Sequence, residues 1–424
     1  MRGRAAVGRG GDGGACGHGG GAGVFRQRRA GRPVEISAVC ARDPDRDRGI
    51  DLSAYAWETD PVALAQRDDV DLFVELMGGS EGAPLDATRA ALEAGKDVVT
   101  ANKAMMALHG HELAEIAEAK GACLRYEAGV AGAIPAIKAL TEALAANEIE
   151  RVLGVMNGTC NYILTRMQSA GLSYDEVFAE AAKLGYLEAD PTLDVGGIDA
   201  GHKLAILASI AFGAKVNFEG VHLEGIERIT IEDINRAADM GYRVKLLGVA
   251  QMTGRGLEQR MTPCLVPANS PLGQLENATN MVVIEGDASG RIVLQGAGAG
   301  EGPTASAVMS DIMDIARGLR LPTFGQPAST LVELPPAVSA TPAPYYLRFI
   351  LDDKPGALAK IATILGNNGI SIDRMRQYGH AESKAPVLIV THRTTRADLD
   401  AALSQMPGTG VLAGEPVAIR IERL

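Results

Sequence analysis

Strand and helix patterns alternate along the first third of the chain. Runs of β-branched and aliphatic residues indicate strands, and segments with apolar residues at helical spacing lie between them. Strands that alternate with helices predict an α/β fold with a parallel, doubly wound sheet, whose ligands bind at the carboxyl ends of the strands. The strands are expected at Pro33–Val39, Val70–Leu76, Lys96–Thr100 and Cys123–Glu127, and the helices at Pro84–Ala94 and Met105–Lys120.

The first 32 residues depart from this pattern, since they contain twelve glycines and seven arginines but almost no aliphatic residues. A nucleotide-binding sheet should begin with a buried strand and a G-x-G-x-x-G turn. Gly8–Gly13 and Gly17–Ala22 match that expression or its final-Ala variant, but such matches carry little information in so glycine-rich a segment. We therefore expect the first strand and the glycine loop to be missing. Residues 1–29 would be a frame-shifted or mis-called start, or else a disordered basic leader.

Length, charge and cysteine content limit the classes of protein that remain. A chain of 424 residues is expected to form two or three domains. The formal net charge of −11 argues against nucleic acid or an anionic membrane surface as a partner. Five cysteines without C-x-x-C spacing indicate a reduced, cytoplasmic protein rather than a disulfide framework or a zinc site. No apolar run is long enough to predict a membrane span.

Changes in composition divide the chain into five segments. The proline-rich stretch Leu334–Pro344 is typical of a semi-extended linker. The predicted boundaries are 1–32 for the Gly/Arg-rich leader, 33–135 for a nucleotide-binding domain, 136–333 for a catalytic and substrate domain whose end returns to the nucleotide domain, 334–344 for the linker, and 345–424 for a terminal domain.

One segment, Glu188–Lys203, places four carboxylates and one lysine within sixteen residues. Asp190-Pro191 and Gly196-Gly197 indicate turns, and apolar residues recur at helical spacing from Ile198 onward. Asp199 and Lys203 should therefore lie one turn apart on one helix face, where an acid can contact a base. Most such pairs are solvated surface ion pairs. Here the helix that follows is almost entirely apolar, and an apolar environment favours the neutral amine that proton transfer requires.

The wider pattern is more specific than the ion pair. Ala181-x-x-x-Gly185-Tyr186, followed by Asp190-Pro191-x-x-Asp194-Val195-x-Gly197-x-Asp199-x-x-x-Lys203, resembles the signature of homoserine dehydrogenase. One position departs, since the family has a small residue where this chain has Leu187. The resemblance extends over residues 30–424. It implies a Rossmann-type domain, an α+β substrate and dimerisation domain, and the NADP- or NAD-dependent interconversion of L-homoserine and L-aspartate 4-semialdehyde in threonine, methionine and isoleucine biosynthesis.

The resemblance also implies roles for individual side chains. Lys203 would exchange a proton with the C4 oxygen of the substrate, and Lys103 would hold that oxygen and position the nicotinamide. Glu188 and Asp199 would bind the substrate ammonium, and Asp199 would also fix Lys203. Two more residues complete the implied substrate-binding set, namely Asp194 and Thr159, although Thr159 could instead cap a helix.

Cofactor contacts follow from the same resemblance. The equivalents of Ser80, Thr100 and Lys103 face the nicotinamide side of the cofactor in the family, although Lys103 alone could equally be a surface lysine at a helix start. Gly185 and Gly300 would approach the cofactor closely. An arginine at the end of the second Rossmann strand can hold a 2′-phosphate, and Arg42 occupies that place, one residue before Asp43. NADP is therefore favoured over NAD.

The turn after the fourth predicted strand resembles the family's monovalent cation site. The implied ligands for Na⁺ are the carboxylate of Glu127 and the backbone carbonyls of Val130, Gly132 and Ile134, since a hard cation prefers oxygen. Without the resemblance, this segment would be interpreted only as a glycine-rich turn between a strand and a helix.

The terminal segment has the pattern βαββαβ, with Lys-Pro-Gly-Ala-Leu opening its first helix, and looks like an ACT domain. ACT domains sense amino acids and usually pair through their sheet edges. In this family the implied effector is L-threonine, and the alternative is a dimerisation domain without a ligand. The candidate effector contacts are Gly356, Ala357, Leu358 and Asn368.

Two alternatives to an active homoserine dehydrogenase stay open. A catalytically impaired homologue that binds an amino acid and regulates a partner would account for a missing glycine loop. An oxidoreductase such as aspartate-semialdehyde dehydrogenase would need a nucleophilic cysteine beside a histidine, with Cys160 as the candidate. The Asp199–Lys203 pair has no role in that second reaction. We also expect a homo-oligomer, and no kinase-like segment precedes the dehydrogenase pattern.

Overall fold

The computed structural model describes residues 3–9, 28–187, 190–377 and 384–423. Sixteen strands form within this part of the chain: β1 (Gly3–Arg9), β2 (Val34–Cys40), β3 (Ala56–Glu58), β4 (Leu72–Leu76), β5 (Asp97–Thr100), β6 (Leu124–Arg125), β7 (Ile149–Val155), β8 (His222–Leu223), β9 (Tyr242–Thr253), β10 (Gly256–Pro267), β11 (Thr279–Gly286), β12 (Gly290–Ala297), β13 (Tyr345–Asp352), β14 (Ile372–Gln377), β15 (Lys384–Thr391) and β16 (Val417–Ile421).

The longer α-helices begin, in most cases, where the sequence offers a capping residue. They cover Pro61–Gln66, Ala83–Glu93, Lys103–Lys120, Gly158–Ala170, Tyr174–Lys183, Ile198–Phe212, Ile231–Asp239, Glu301–Arg317, Ala357–Asn367 and Arg396–Gln405. The chain divides into two compact units. The first consists of Met1–Met156, Asp199–Val221 and Thr279–Leu334, and the second of Asn157–Ile198, His222–Ala278 and Pro335–Leu424.

A six-stranded parallel sheet forms the core of the first unit, in the order β3-β2-β1-β4-β5-β6. This is the strand order of the Rossmann fold, so the predicted fold class is confirmed. The prediction that the first strand is missing is wrong. β1 pairs in parallel with β2 on one side and with β4 on the other, with Ala5 opposite Leu72 and Val7 opposite Val74.

The sequence of β1 explains why the apolar pattern failed to reveal it. Gly3-Arg-Ala-Ala-Val-Gly-Arg9 contains one β-branched residue, whereas the prediction looked for a Val/Ile-rich run. Parallel pairing uses backbone groups, and both β2 and β4 would otherwise keep an unpaired edge in the middle of the sheet. The string Gly8–Gly13 thus begins within this central strand, which supplies the strand that the glycine motif requires before it, while residues 10–27 lie outside the described part of the chain.

The first unit also contains an antiparallel sheet of β12, β11 and β7. The helix Glu301–Arg317 follows β12 and packs on the parallel sheet, where Val308 and Ile312 join a buried cluster with Leu72, Val74 and Val99. A late segment of the sequence therefore covers the face of the nucleotide-type sheet and brings the glycine-rich turn before this helix into the same unit.

The second unit contains the long β9–β10 hairpin, with β8 beside β10. β10 also pairs in parallel with β16, the first of four antiparallel strands in the order β16-β13-β15-β14. With the helices Ala357–Asn367 and Arg396–Gln405, these last four strands have the predicted order βαββαβ. The two helices pack on the sheet around a core that includes Leu347, Phe349, Ile361, Leu365, Val387, Ile389 and Leu399. No helix in the described residues is long and apolar enough to cross a membrane.

Candidate active site

Two lysines and one aspartate form an ion-pair cluster in the first unit. Asp199 lies in the first turn of the helix Ile198–Phe212, and Lys203 follows one turn later, as predicted. Lys203 Nζ donates to Asp199 Oδ2 over 2.7 Å, and Lys103 Nζ lies 2.7 Å from the other oxygen, Oδ1. Lys203 Nζ also donates to the backbone carbonyl of Met156 over 2.9 Å. One carboxylate therefore holds two ammonium groups that are a hundred residues apart in sequence.

The cluster is desolvated on one side and open on the other. The side chains of Asp199 and Lys203 are 6% and 9% exposed, whereas Lys103 is 31% exposed. Burial alone would raise the pKa of Asp199, but the charges and hydrogen bonds of Lys203 and Lys103 hold it well below its usual range. The ring of the neighbouring His202 contacts that of Phe218 at a tilt of 46°, and burial lowers the pKa of His202. Asp199 is thus a permanent anion, and Lys103 is the accessible member of the cluster.

Thr100 is the last residue of β5, and Ser80 and Lys103 follow the carboxyl ends of the adjacent parallel strands β4 and β5. Thr100 is fully buried, and its hydroxyl donates to Glu75 Oε2 over 2.5 Å while it accepts from the amide of Asn102. Lys103 is the first residue of its helix, and the Asn102 side chain caps that helix by accepting from the amide of Met105. Ser80 and Lys103 are thus partly accessible, whereas the Thr100 side chain is enclosed by protein.

Arg42 and Gly300 occupy two other places in the first unit. Arg42 is exposed in the segment after β2, where Arg48 donates to the carbonyl of Asp43 and lies over the Trp57 ring at 5.4 Å from its centroid. Gly300 has φ of 110° and immediately precedes the helix Glu301–Arg317. Arg42 thus lies just after a strand end and Gly300 at a helix start, the two kinds of position at which nucleotides commonly bind in α/β folds.

The segment predicted to bind a cation is a tight buried turn. Ala131 and Gly132 both have φ of 56°, and a Cβ on Gly132 would lie 2.6 Å from the carbonyl carbon of Gly298. Both carboxylate oxygens of Glu127 accept backbone amides, those of Ile137 at 3.1 Å and of Lys138 at 2.9 Å. Burial and the nearby charge of Asp311 raise the pKa of Glu127 to about 7.

The remaining substrate-site candidates belong to the second unit. Asn157, and not Thr159, caps the helix Gly158–Ala170 by accepting from the amide of Cys160, so the capping alternative for Thr159 is wrong. The Thr159 hydroxyl donates to the carbonyl of Tyr186 over 2.9 Å. Asp194 is buried and accepts from Asn157 Nδ2 over 2.9 Å.

Gly185 and Glu188 complete the candidates on this part of the chain. Gly185 is exposed and has φ of 74°, in the left-handed region that favours glycine. Glu188 lies outside the described residues. Cys160 is fully buried and its thiol donates to the carbonyl of Asp194 over 3.3 Å, an arrangement unsuited to a nucleophile.

Three of the four effector candidates line one cavity of about 480 Å³ in the terminal domain. Gly356, Ala357 and Leu358 form the start of the helix Ala357–Asn367 at the cavity wall, opposite Ile372 and Gln377 of the edge strand β14. Asn368 lies at the other end of that helix, where its side chain donates to the carbonyl of Ile364. The structure therefore brings the first three together and keeps Asn368 apart from them.

Sequence reasoning missed several residues that hold the ion-pair cluster in place. The carbonyl of Met156 and the cap of Asn102 carry no chemical signature, although an asparagine directly before a lysine-led helix is a capping signal. Glu75 was missed because it lies within a strand whose other residues are all apolar, so the pattern indicated only a buried strand.

Three family models match the chain. The model for homoserine dehydrogenase matches residues 135–313, that for the homoserine dehydrogenase NAD-binding domain matches 14–127, and that for the ACT domain matches 345–406. Homoserine dehydrogenase from Neisseria gonorrhoeae is 41% identical over 96% of this chain and 96% of the relative. The enzyme of the same name from Pseudomonas aeruginosa is 41% identical over 94% of this chain and 93% of the relative.

Solved structures give the same result. The homoserine dehydrogenase of Thiobacillus denitrificans superimposes with a TM-score of 0.90 at 37% identity, and the match covers 100% of this chain and 99% of that one. A hyperthermophilic archaeal homoserine dehydrogenase in complex with NADPH matches 74% of this chain and 97% of its own, with a TM-score of 0.60 at 25% identity. The chain, with its nicotinamide-binding and ACT domains, therefore belongs to the homoserine dehydrogenase family of NAD(P)-dependent oxidoreductases.

Proposed function

We propose that this chain interconverts L-aspartate 4-semialdehyde and L-homoserine, with Lys203 as the group that exchanges a proton with the C4 oxygen. The observation that carries the proposal is the bridging of Lys103 and Lys203 by Asp199, at 2.7 Å each. In the reductive direction the aldehyde carbon gains a hydride and the aldehyde oxygen gains a proton. NADPH supplies the hydride when bound, so the protein must orient the substrate and manage one proton.

Lys203 suits the proton transfer because of how its ammonium is held. A protonated lysine has three N–H donors. Two of them are used by Asp199 Oδ2 and the carbonyl of Met156, so the third can point at a substrate oxygen. Giving that proton to the oxygen leaves a neutral amine still anchored by both partners. In the oxidative direction the same amine takes the proton of the hydroxyl group.

Lys103 and Asp199 support this transfer in different ways. Lys103 is the more exposed lysine, and a second positive charge near the carbonyl oxygen stabilises the negative charge that develops there. Both oxygens of Asp199 are already paired with lysines, so we assign Asp199 to positioning them, in addition to the predicted contact with the substrate ammonium. The other residues proposed to bind the substrate are Glu188, Thr159 and Asp194.

Homoserine-dependent reduction of NADP⁺ tests the assignment, with Lys203→Ala and Lys215→Ala compared side by side. Lys203→Ala should lower kcat by about 10²–10⁴-fold, the usual range for losing a general acid–base, with a much smaller effect on KM. Lys215 pairs with Glu333 on the surface and serves as the matched control. Near-normal turnover by Lys203→Ala would refute the role of Lys203, and a wild-type chain without turnover would refute the proposed activity.

The observations disfavour both alternatives. The impaired regulatory homologue rested on a missing glycine loop, and the strand β1 that should lead into such a loop is present in the sheet. The aspartate-semialdehyde dehydrogenase reaction needs an accessible cysteine, whereas Cys160 is fully buried.

The coenzyme is proposed to be NADP in preference to NAD. Arg42 is exposed after β2 and can offer its guanidinium to a 2′-phosphate, whereas Arg48 is held on the Trp57 ring and by the carbonyls of Asp43 and Arg46. The other proposed cofactor contacts are Ser80, Thr100, Lys103, Gly185 and Gly300. Thr100 would act through its backbone, because its side chain is enclosed by protein. Arg42→Ala should raise the KM for NADP⁺ at least about tenfold and leave that for NAD⁺ nearly unchanged, the cost of one charge-assisted contact.

A monovalent cation, proposed as Na⁺, fits the turn of Val130–Ile134. Val130 and Gly132 are buried residues, and within the described part of the chain no backbone amide outside regular helices and strands donates to their carbonyl oxygens, which a hard cation would satisfy. Glu127 and Ile134 complete the proposed ligand set, with the Glu127 carboxylate also holding the amides of the following helix. Activity measured in NaCl and in choline chloride at equal ionic strength tests the site, and equal activity in both salts would refute it.

The effector of the ACT domain is proposed to be L-threonine, bound in the cavity beside Gly356, Ala357 and Leu358. Ala359 also lines that cavity and is exposed, so Ala359→Phe should reduce threonine inhibition without unfolding the domain. Gly366→Ala, on the same helix but away from the cavity, is the control. The proposal fails if L-threonine neither inhibits nor binds the wild-type chain.

We further propose a homo-oligomer in a reducing compartment such as the cytoplasm. β14 pairs with β15 on one side and ends its sheet, which leaves an edge for a second copy. The four described cysteines are all buried and form no disulfide with one another, as expected of a protein in a reducing compartment. Light scattering on the purified chain would test the assembly, and a monomer at micromolar concentration would contradict it.

A further inference from the structure

Glu75 is a buried carboxylate that the mechanism above does not use. It is the fourth residue of β4 and is fully buried between Val74 and Leu76 in a strand of otherwise apolar residues. Burial raises the pKa of Glu75 to about 7, against the opposing effect of hydrogen bonds from Thr100, Met77 and Asn102. An apolar residue would satisfy the packing of a core strand at lower cost, so the carboxylate must serve through its hydrogen bonds.

Those hydrogen bonds join the ends of two strands. Glu75 Oε1 accepts the amide of Met77 and Oε2 accepts the hydroxyl of Thr100, each over 2.5 Å. The Thr100 oxygen in turn accepts the amide of Asn102 over 2.9 Å. The Thr100 hydroxyl has one proton, which it donates in the hydrogen bond to Glu75. The side chain at position 75 must therefore offer an acceptor atom to Thr100.

Asn102 carries the connection to the ion-pair cluster. Its side-chain oxygen accepts the amide of Met105 over 3.0 Å and starts the helix whose first residue is Lys103. Its side-chain nitrogen donates to the carbonyl of Gly79 over 2.6 Å, which fixes the turn that precedes Ser80. Lys103 then contacts Asp199. The backbone of the turn after β4 and the start of the Lys103 helix are thus tied to one carboxylate.

We propose that Glu75 is a positioning residue for hydride transfer: acting through Thr100 and Asn102, it sets the position of Lys103 and of the turn before Ser80. This inference rests on the proposed function, because Lys103 and Ser80 matter only if they face substrate and cofactor. It predicts that a change at Glu75 alters the geometry of the reacting groups more than the stability of the domain.

The test uses Glu75→Gln, assayed above pH 7, where Glu75 is mostly ionised. Gln keeps size and shape but offers one acceptor where the ionised carboxylate accepts from two donors. Either the Met77 amide or the Thr100 hydroxyl must then face the NH₂ group of the new side chain. Because small displacements of positioning groups cost up to about 10²-fold in rate, we expect kcat to fall about 10- to 100-fold. The KM for homoserine should change less than about threefold if ground-state binding is retained.

Thr100→Val provides an independent break in the same connection. It removes the hydroxyl that links Glu75 to Asn102 while leaving the carboxylate in place. We expect the kcat of Thr100→Val to fall by a similar factor. The kcat of the double variant should be within about threefold of that of either single variant, because each variant breaks the same connection. Thr88→Val, which removes a fully buried hydroxyl from the helix Ala83–Glu93, is the isosteric control.

Each outcome decides the inference. A loss of kcat in Glu75→Gln and Thr100→Val, with normal KM and little change in melting temperature, supports it. Normal kcat in either variant, or a loss explained by a lower folded fraction and shared by Thr88→Val, overturns it while the proposed function stands. If Glu75→Gln does not fold, Thr100→Val alone decides between these results. A wild-type chain that does not oxidise homoserine overturns the inference together with the proposed function.

Discussion

Lys203 donates to Asp199 Oδ2 at one helical turn's separation, and both side chains are buried. Buried ion pairs gain little net stability, because desolvation offsets most of their attraction. Their value here is in geometry, since the paired lysine is held by a second acceptor, the carbonyl of Met156. The pair therefore fixes the direction of the remaining N–H bond rather than adding substantially to the free energy of unfolding.

Asp199→Asn should impair catalysis strongly. The amide cannot pair with two ammonium groups, so Lys103 and Lys203 would repel each other across it and lose their fixed positions. We expect kcat for homoserine oxidation to fall about 10²–10³-fold, as when a group that orients an acid–base residue is lost. Asp190→Asn, at an exposed turn in the same signature, is the control. Equal kinetics for the two variants would contradict the role of Asp199.

The ion-pair cluster could be foreseen only in part. Spacing alone predicts the contact between Asp199 and Lys203, because residues four apart share a helix face. The contact between Lys103 and the same carboxylate depends on how the parallel sheet packs against a separate helix, and no local sequence pattern contains that information. Glu75 was missed for the related reason that its partners, Thr100 and Asn102, come from the next strand along the sheet.

The first strand shows the limit of hydrophobic pattern as a guide to fold. The predicted strands over residues 33–127 and the terminal βαββαβ order were recovered because each contains an aliphatic run. β1 lacks such a run, and its place is specified by the free edges of β2 and β4, which are distant in sequence. The high glycine and arginine content of this segment predicted that the strand is missing, although its backbone pairs with both neighbouring strands.

Ala6→Pro should therefore disrupt the parallel sheet. Ala6 lies in the middle of β1 between two partner strands, and proline cannot donate to either of them. We expect a loss of about 1–3 kcal/mol in the free energy of unfolding, because a ladder hydrogen bond is lost and its acceptor is left unpaired, together with loss of NADPH binding by fluorescence titration. Ala6→Ser keeps the amide and is the control. If Ala6→Pro bound NADPH as tightly as the wild type, the central place of β1 would be wrong.

Gly132→Ala should destabilise the turn that carries the proposed cation site. A Cβ there would lie 2.6 Å from the carbonyl carbon of Gly298, and φ is 56°. Strain and overpacking together should cost about 2–4 kcal/mol of unfolding free energy. Gly121→Ala is a matched control, since Gly121 has φ of 66° with nothing within 4 Å of a Cβ, so it isolates the cost of φ. Similar urea midpoints for the two variants would refute the steric argument.

Glu258 should make the stability of the second unit depend on acid pH. Burial works to raise its pKa, but hydrogen bonds from Thr341 and Gln251 and the charge of Arg260 lower it from 4.5 to about 2. A carboxyl with a lower pKa in the folded state stabilises the protein above pH 4.5, and this contribution is lost as the pH falls from 4.5 to about 2. The wild type should therefore lose its stability advantage over Glu258→Gln within that interval.

Urea unfolding of the wild type and of Glu258→Gln, measured from about pH 2.5 to about pH 7 in steps of roughly half a pH unit, would show how the difference in unfolding free energy changes with pH. Glu219→Gln, at an exposed position, controls for the removal of one negative charge. The carboxylate also pairs with the buried Arg260, whose guanidinium contacts Glu422 as well. Glu422 therefore keeps Arg260 partly compensated in Glu258→Gln, and the difference between the two proteins should come mainly from the titration of Glu258. A difference in unfolding free energy that stays constant with pH would show that Glu258 contributes by packing and not by its charge.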